Sequence, residues 1–212
     1  MRKVIQILLA LVVVALAYLL VESIMSPIRF EKVRTSRYKV TVKRLMNIRN
    51  AQVAYKTVNG KYTASFDTLV TFVREGQLPL VRAIGTIPDE FVDSLKSLAK
   101  AEALALKLGL ISRDTIRISV MDSLFKRPSD LDSMVYIPYS GGKKFEMGIA
   151  EVKASGLPVQ VFEASALNFD ILKGLDEQLI VNLNDGKPFP GLKVGSLNES
   201  NNNAGNWETS LE

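Results

Sequence analysis

The sequence predicts an α+β protein, in which a long N-terminal helical rod precedes further helices and a small antiparallel sheet. Two observations predict this plan. The first 59 residues contain no glycine and a single proline, Pro27, so little in them interrupts a helix. From Thr115 onward, short apolar runs alternate with glycine-containing turns, which is typical of strands.

Four segments follow from this plan. We predict a transmembrane anchor over residues 1–26, a stalk helix over residues 27–60 that begins at a kink, an α+β globular domain over residues 61–197 and a flexible polar tail over residues 198–212. The tail is predicted from its composition, because it is rich in Asn and Ser and carries three acids and no base.

The anchor rests on residues 4–21, an 18-residue run without a charged side chain. Such a run spans roughly 27 Å as a helix, close to the thickness of a hydrocarbon core. It is longer than the apolar core of a cleaved signal peptide, and no small-x-small cleavage site follows it. We therefore expect an uncleaved single-pass anchor. Glu22 ends the run, and we expect it at the membrane interface or in a salt bridge to a neighbouring subunit.

Positive charge is concentrated just after the anchor. Residues 27–60 carry nine Lys/Arg and one acid, whereas residues 61–212 carry 16 Lys/Arg and 20 acids. This basic segment, residues 27–60, is called the neck. It is either a solvated helix face or a contact to anionic lipid headgroups, worth roughly 1 kcal/mol per basic residue. Nucleic acid is not an expected partner, because no aromatic side chains interleave the basic ones. The candidate headgroup contacts are Arg29, Lys32, Arg34 and Arg37.

The orientation of the anchor depends on the charges that flank it. Arg2 and Lys3 favour a cytoplasmic N-terminus with the domain exported, although the basic neck argues the reverse. We expect a bacterial inner-membrane protein whose C-terminal domain lies in the periplasm.

The stalk carries one apolar stripe at helical spacing, which ends before a helix stop at Asn59-Gly60. The stripe either packs onto the C-terminal domain or contacts the same helix of a neighbouring subunit. In the second case Tyr38, Leu45 and Tyr55 are the expected partner contacts. The stripe consists of Tyr38, Val42, Leu45, Ile48, Tyr55 and Val58.

Two helices are predicted after the stalk. Ser65 caps a short helix over residues 66–74, and a connection over residues 78–87 holds a short strand. Pro88 begins a second helix that continues to Leu108. Its expected buried side comprises Phe91, Leu95, Leu98, Ala99, Leu104 and Leu108.

The C-terminal half is predicted to be mainly strands. They cover residues 115–121 and 134–138, an antiparallel hairpin of 144–153 with 158–163, and a last strand over 191–197. A short helical stretch is expected within residues 168–182.

Residue types exclude several chemistries. The chain has no Cys and no His, which excludes thiolate, Ser-His-Asp and His-zinc sites. Gly141-Gly142-Lys143 lacks the spacing of a phosphate loop, so we interpret it as a hairpin turn. The acids near Asp130 lack the pattern of a calcium loop. We expect no catalytic, cofactor or metal site, and hence no enzyme.

One stretch resembles a known family. Residues 48–62, IRNAQVAYKTVNGKY, resemble the helix end and Asn-Gly-x-Tyr turn of type IV pilins and the pseudopilins of type II secretion. The resemblance covers about the first 60 residues. The chain departs from prepilins at the cleavage point, because no glycine precedes Gly60, and Gln6 is the only polar residue early in the apolar helix. The family implies an apolar helix, a kinked amphipathic continuation and a C-terminal antiparallel sheet.

The expected function is that of a single-pass envelope protein that serves as a structural or scaffolding subunit of a membrane assembly. Its expected partners are membrane lipids, and other envelope proteins or a second copy bound through the N-terminal helix. The alternative is a membrane-tethered periplasmic domain that binds or senses a ligand.

Overall fold

A computed structural model describes residues 2–154 and 156–208, and it has the predicted α+β architecture. Its longest element is helix α1, Arg2–Asn59, with Pro27 inside it. The predicted anchor and stalk are therefore one continuous helix. Pro27 removes a single backbone hydrogen bond, and the helical turns on both sides keep theirs.

Seven shorter helices and five strands follow α1 in the described residues. The helices are α2 Phe66–Glu75, α3 Asp89–Leu95, α4 Leu98–Lys107, α5 Val120–Leu124, α6 Pro128–Met134, α7 Asn168–Ile171 and α8 Glu177–Asn184. The strands are β1 Gln77–Gly85, β2 Ile111–Ser119, β3 Glu146–Ala154, β4 Leu157–Leu167 and β5 Gly191–Gly195.

The core lies where the C-terminal half of α1 meets a three-stranded antiparallel sheet of order β3-β4-β5. Leu45 and Ile48 of α1 are fully buried there, together with Phe162 of the central strand β4. Helices α2, α5 and α6 also pack against this half of α1. Except for the exposed Val58, the apolar stripe of the stalk thus packs onto its own domain, which confirms the first of its two interpretations for the other five residues.

A buried polar side chain stabilises the chain reversal after α1 through hydrogen bonds. Gln52 has no exposed surface, donates from Nε2 to the carbonyl of Thr63 (2.6 Å) and accepts the Thr63 amide at Oε1 (3.2 Å). Gly60 has φ +74°, which confirms the predicted helix stop. Because both amide functions of Gln52 are satisfied, its burial stabilises this turn rather than costing stability.

A two-stranded ribbon of β1 and β2 stands apart from the main sheet and carries α3 and α4 between its strands. The single helix predicted over residues 88–108 is wrong. Lys96 adopts a left-handed conformation (φ 47°) and Ser97 is extended, so the helix breaks there.

The predicted buried side of that helix is also wrong. The break changes the helical phase, so that Ala101 and Ala105 are fully buried while Leu98 and Leu108 are more than half exposed. Ala99 is exposed, and Phe91 and Leu104 are half-buried. The side chain of Leu95 lies outside the described residues.

The other predicted helices and strands, apart from the strand over residues 134–138, are present with shifted bounds. The hairpin of β3 and β4 is antiparallel, α2 begins after its Ser65 cap, and β5 is the last strand. Residues 134–138 are not a strand, because α6 extends to Met134 and only Tyr136 forms an isolated bridge, to Lys144. The stretch predicted within 168–182 forms the two helices α7 and α8.

The polar C-terminal segment contacts the domain over residues 198–208, where a flexible tail was predicted; residues 209–212 lie outside the described residues. Its backbone bonds to β5, since Gly195 N donates to Ala204 O (3.0 Å) and Asn206 N donates to Lys193 O (3.0 Å). Asn206 also accepts the Lys193 amide and donates to Gly191 O. The Asn206 side chain therefore binds β5 in a segment whose composition alone indicated disorder.

The end of this segment provides a pH-dependent contact. Glu208 bonds to Arg49 of α1 (2.7 Å), and this bond, helped by the amide of Gly205, holds the pKa of the Glu208 carboxyl below its usual range. A lowered folded-state pKa stabilises the fold above the unfolded value of about 4.3, and the stabilisation disappears as the pH falls through the lowered value.

We expect Glu208→Gln to lower the free energy of unfolding by about 0.5 kcal/mol at neutral pH, because the pair is partly exposed. The difference from wild type should vanish in strong acid. Urea unfolding of both proteins as a function of pH checks this, and a difference that persists unchanged in acid contradicts it.

Candidate functional site

The first half of α1 presents an uncovered apolar surface. Between Ile5 and Met25 its leucines, isoleucines and valines point outward, and none of the most apolar 18-residue window is buried. These 21 residues span roughly 31 Å, about one hydrocarbon core. An exposed apolar surface of this extent marks an interaction site. The helix is long and apolar enough for one membrane crossing.

Glu22 has a partner in its own chain. Arg29, two helical turns further along α1, donates to the Glu22 carboxylate at 2.6 Å, and both side chains are about half exposed. The pair lies where the apolar surface ends. The carboxylate therefore does not depend on a neighbouring subunit for its counter-ion.

The four basic neck residues do not share one role. Arg29 and Lys32 are exposed, as a headgroup contact requires. Arg37 instead donates to the carbonyls of Ile171 (3.2 Å) and Lys173 (2.9 Å), and its guanidinium lies over the ring of Tyr139. Arg37 thus docks α1 onto the loop after α7.

Substitution of Arg37 tests whether this residue docks α1 onto the domain or contacts lipid headgroups. We expect Arg37→Ala to lower the free energy of unfolding by about 1–2 kcal/mol, because two carbonyl acceptors lose their donor. The matched change Lys39→Ala, at an exposed position two residues away, should stay within about 0.5 kcal/mol. Urea unfolding of the detergent-solubilised chain measures both; equal, negligible effects contradict the docking role.

The three predicted partner contacts of the stripe face their own domain. Leu45 is fully buried, Tyr38 donates its hydroxyl to Asn168, and Tyr55 meets Phe72 edge-on with ring centroids 5.1 Å apart. Burial raises the pKa of the Tyr38 hydroxyl, although Arg34 and Asn168 lower it in part. The second interpretation of the stripe, a contact to a neighbouring helix, is therefore wrong for Leu45.

A different face of α1 is free for a partner. Val40, Met46 and Val53 are each more than a third exposed; Val40 and Met46 lie near the exposed Lys39 and Lys43, whereas Val53 borders a cavity lined by β1 and β2. We call Val40, Met46 and Val53 the outward stripe. Sequence periodicity missed it, because the stronger apolar stripe on the opposite side dominates the pattern.

The structure also forms a pocket that the sequence did not indicate. Its volume is about 500 Å³, and it lies between α1, the turn before β5 and the C-terminal segment. Three basic and three aromatic side chains line it. This cationic pocket comprises Arg34, Tyr38, Lys187, Phe189, Lys193 and Trp207. More than 150 positions separate Lys187 from Arg34 in the sequence, so no local spacing pattern brings them together.

The charges in the cationic pocket are only partly compensated. Arg34 pairs with Glu31, and Lys193 pairs with Glu163 at 2.9 Å. Lys187 has no ion pair within the described residues, and burial together with the nearby Arg34 guanidinium lowers its pKa. The Nε of Arg34 is buried without a hydrogen-bond partner. The pocket therefore has unused donors and excess positive charge.

No metal site accompanies this pocket in the described part of the chain, where no three His, Cys, Asp or Glu side chains cluster to hold an ion. Cationic donors suit the binding of an anion. Comparisons with family models, curated proteins and solved structures found no match. The fold and these sites define an α+β protein with one helix suited to crossing a membrane, and the resemblance to pilins and pseudopilins stays a prediction.

Proposed function

We propose that the protein is a single-pass membrane protein of the cell envelope that acts as a structural or scaffolding subunit of a membrane assembly, pilin-like in plan. The observation that carries the proposal is the continuity of α1. The helix passes from the exposed apolar segment into the core of the domain without a linker, and Leu45 and Ile48 fix it there. Such a connection transmits position and force, as a scaffold requires.

The proposal places the domain in the periplasm of a bacterial inner membrane. Arg29 and Lys32 lie just beyond the apolar segment, exposed, and serve as contacts to anionic headgroups. A C-terminal alkaline phosphatase fusion tests the orientation: activity is expected, and an inactive fusion that is made in full contradicts export.

The outward stripe provides the surface for a second copy or another envelope protein. Single cysteines at Val40, Met46 and Val53 test this contact, and the chain has no native cysteine to interfere. We expect crosslinks from these positions in native membranes, and none from the control Glu151→Cys on the exposed side of β3. Absence of a crosslink from all three stripe positions contradicts the assembly role.

A second function, a membrane-tethered domain that binds a ligand, is favoured by the cationic pocket alone. The buried Nε of Arg34 in its lining has no hydrogen-bond partner within the described residues. The two functions are compatible, because the pocket and the outward stripe share no residues.

A further inference from the structure

We propose that the cationic pocket binds a phosphate-bearing anion, supplied either by the headgroup of an anionic lipid or by a free phosphate compound. This inference deepens the second function above by naming its ligand class. It does not depend on the scaffolding role.

Two basic side chains that line the pocket have a donor for which the described residues provide no acceptor. The guanidinium of Arg34 gives one end to Glu31, while its buried Nε has no partner. A buried donor without an acceptor destabilises the fold, and an anionic oxygen that accepts from it removes that cost. Lys187 lines the same pocket as Arg34, and burial and the Arg34 guanidinium lower the Lys187 pKa while Glu31 raises it. An anion between them satisfies both groups at once.

The acids near the pocket are already engaged. Glu31 accepts from Arg34, and Glu163 accepts from Lys193. The pocket has three cations and these two carboxylates lie beside it. This leaves an excess of one positive charge, centred on Lys187. Phosphate groups carry the charge and the several acceptor oxygens that such a site lacks.

The size and walls of the pocket indicate more than inorganic phosphate. A volume of about 500 Å³ falls within the range of small-molecule sites. Trp207, Phe189 and Tyr38 provide apolar faces beside the cations, and Lys193 lies over the Phe189 ring at 5.5 Å. A phosphate joined to a glycerol or ring moiety fits this combination of donors and apolar walls.

The position along α1 favours a lipid source. Arg34 lies nine residues, roughly 13 Å, beyond Met25, where the apolar segment ends. Helical side chains tilt toward the N-terminus, so Arg34 leans toward the apolar segment. The headgroup layer adds roughly 5–8 Å on each side of the hydrocarbon core, which brings a lipid phosphate within reach. This lipid route, unlike the free-phosphate route, rests on the proposed membrane anchoring.

Trp207 provides the readout, because it is the only tryptophan of the chain and lines the pocket. In one arm, the detergent-solubilised full chain is titrated with inorganic phosphate and with glycerol 3-phosphate at constant ionic strength, with equilibrium dialysis of the radiolabelled compounds as a second measurement. In the other arm, the chain is placed in phosphatidylcholine nanodiscs with and without phosphatidylglycerol, and bound lipid is counted by native mass spectrometry.

Lys187→Gln is the test variant, and Lys43→Gln, an exposed lysine on the outward side of α1, is the matched control. We expect saturable binding by wild type and by Lys43→Gln in at least one arm, and binding about tenfold weaker in Lys187→Gln. Binding in the first arm identifies a free phosphate compound as sufficient, whereas binding confined to phosphatidylglycerol nanodiscs identifies a headgroup.

No binding in either arm overturns the proposal, as does equal affinity of Lys187→Gln and wild type. Sedimentation of the wild-type chain with phosphatidylcholine vesicles reports membrane anchoring separately. A chain that sediments with vesicles but binds no phosphate therefore loses the pocket proposal and keeps the proposed anchor.

Discussion

Replacing Leu11, Val14 and Leu16 together by arginine is expected to release the protein from the membrane. Each side chain is more than half exposed on the first half of α1, so in the proposed anchor each arginine faces lipid rather than protein. One arginine near the centre of a spanning helix costs roughly 2.5–3.5 kcal/mol of insertion free energy, and three cost roughly 8–10 kcal/mol. Alkaline carbonate extraction of membranes measures the outcome as a shift from the pellet to the soluble fraction.

The matched control places three arginines on the outward stripe, at Val40, Met46 and Val53. These positions are exposed as well but lie on the part of α1 that carries the domain. This variant is expected to stay in the pellet. A pelleted chain after substitution of Leu11, Val14 and Leu16 contradicts the anchor, provided that the chain remains unaggregated in detergent.

Leu45→Ala is expected to lower the free energy of unfolding of the domain by about 2–5 kcal/mol. Leu45 is fully buried in the core that joins α1 to the rest of the domain, and its truncation loses apolar burial and leaves a cavity. That loss is a large share of the 5–15 kcal/mol typical of a domain. Urea unfolding in detergent, followed through the fluorescence of Trp207, measures it.

Met46→Ala is the control for this change, since Met46 follows Leu45 directly and is 39% exposed. We expect an effect within about 0.5 kcal/mol from Met46→Ala. Equal effects of the two substitutions contradict the packing of α1 into its own domain. They support instead a contact of Leu45 with a neighbouring subunit.

The elements that the sequence predicted are those with a local signal. The absence of glycine before Gly60 and the helical spacing around Leu45 were sufficient to predict α1. The Ser65 cap and the hairpin turn near Gly156 were sufficient for α2 and for the pairing of β3 with β4. In each case the residues that carry the signal lie within the predicted element or directly beside it.

The errors arose where distant contacts override local preference. Nothing near Lys96 indicates a left-handed residue, so a run of good helix formers was predicted as one helix. Residues 198–208 have the composition of a disordered segment, but Asn206 binds β5 through both its side-chain and backbone groups. The cationic pocket depends on the same docking, because this segment brings Trp207 to Arg34.

Contacts between residues far apart in the sequence also alter the predicted role of the basic neck. Counting basic residues treated Arg29, Lys32, Arg34 and Arg37 as equivalent, whereas the fold gives them separate surroundings. Arg37 binds carbonyls of the domain, and Arg34 lines a pocket. Only contacts across more than 130 positions of sequence distinguish these two residues from the exposed Arg29.

The central claim is that one helix crosses the membrane with its first half and carries the domain on its second. A scan of single cysteines along α1 tests it most directly, with a membrane-impermeant maleimide applied from both sides of native membranes. The account predicts that cysteines at Leu8, Leu11, Val14 and Leu19 stay unlabelled until detergent is added, while cysteines at the exposed Lys39 and Lys43 are labelled at once. Labelling of Leu11 and Val14 positions as rapid as that of Lys43 in intact membranes contradicts it.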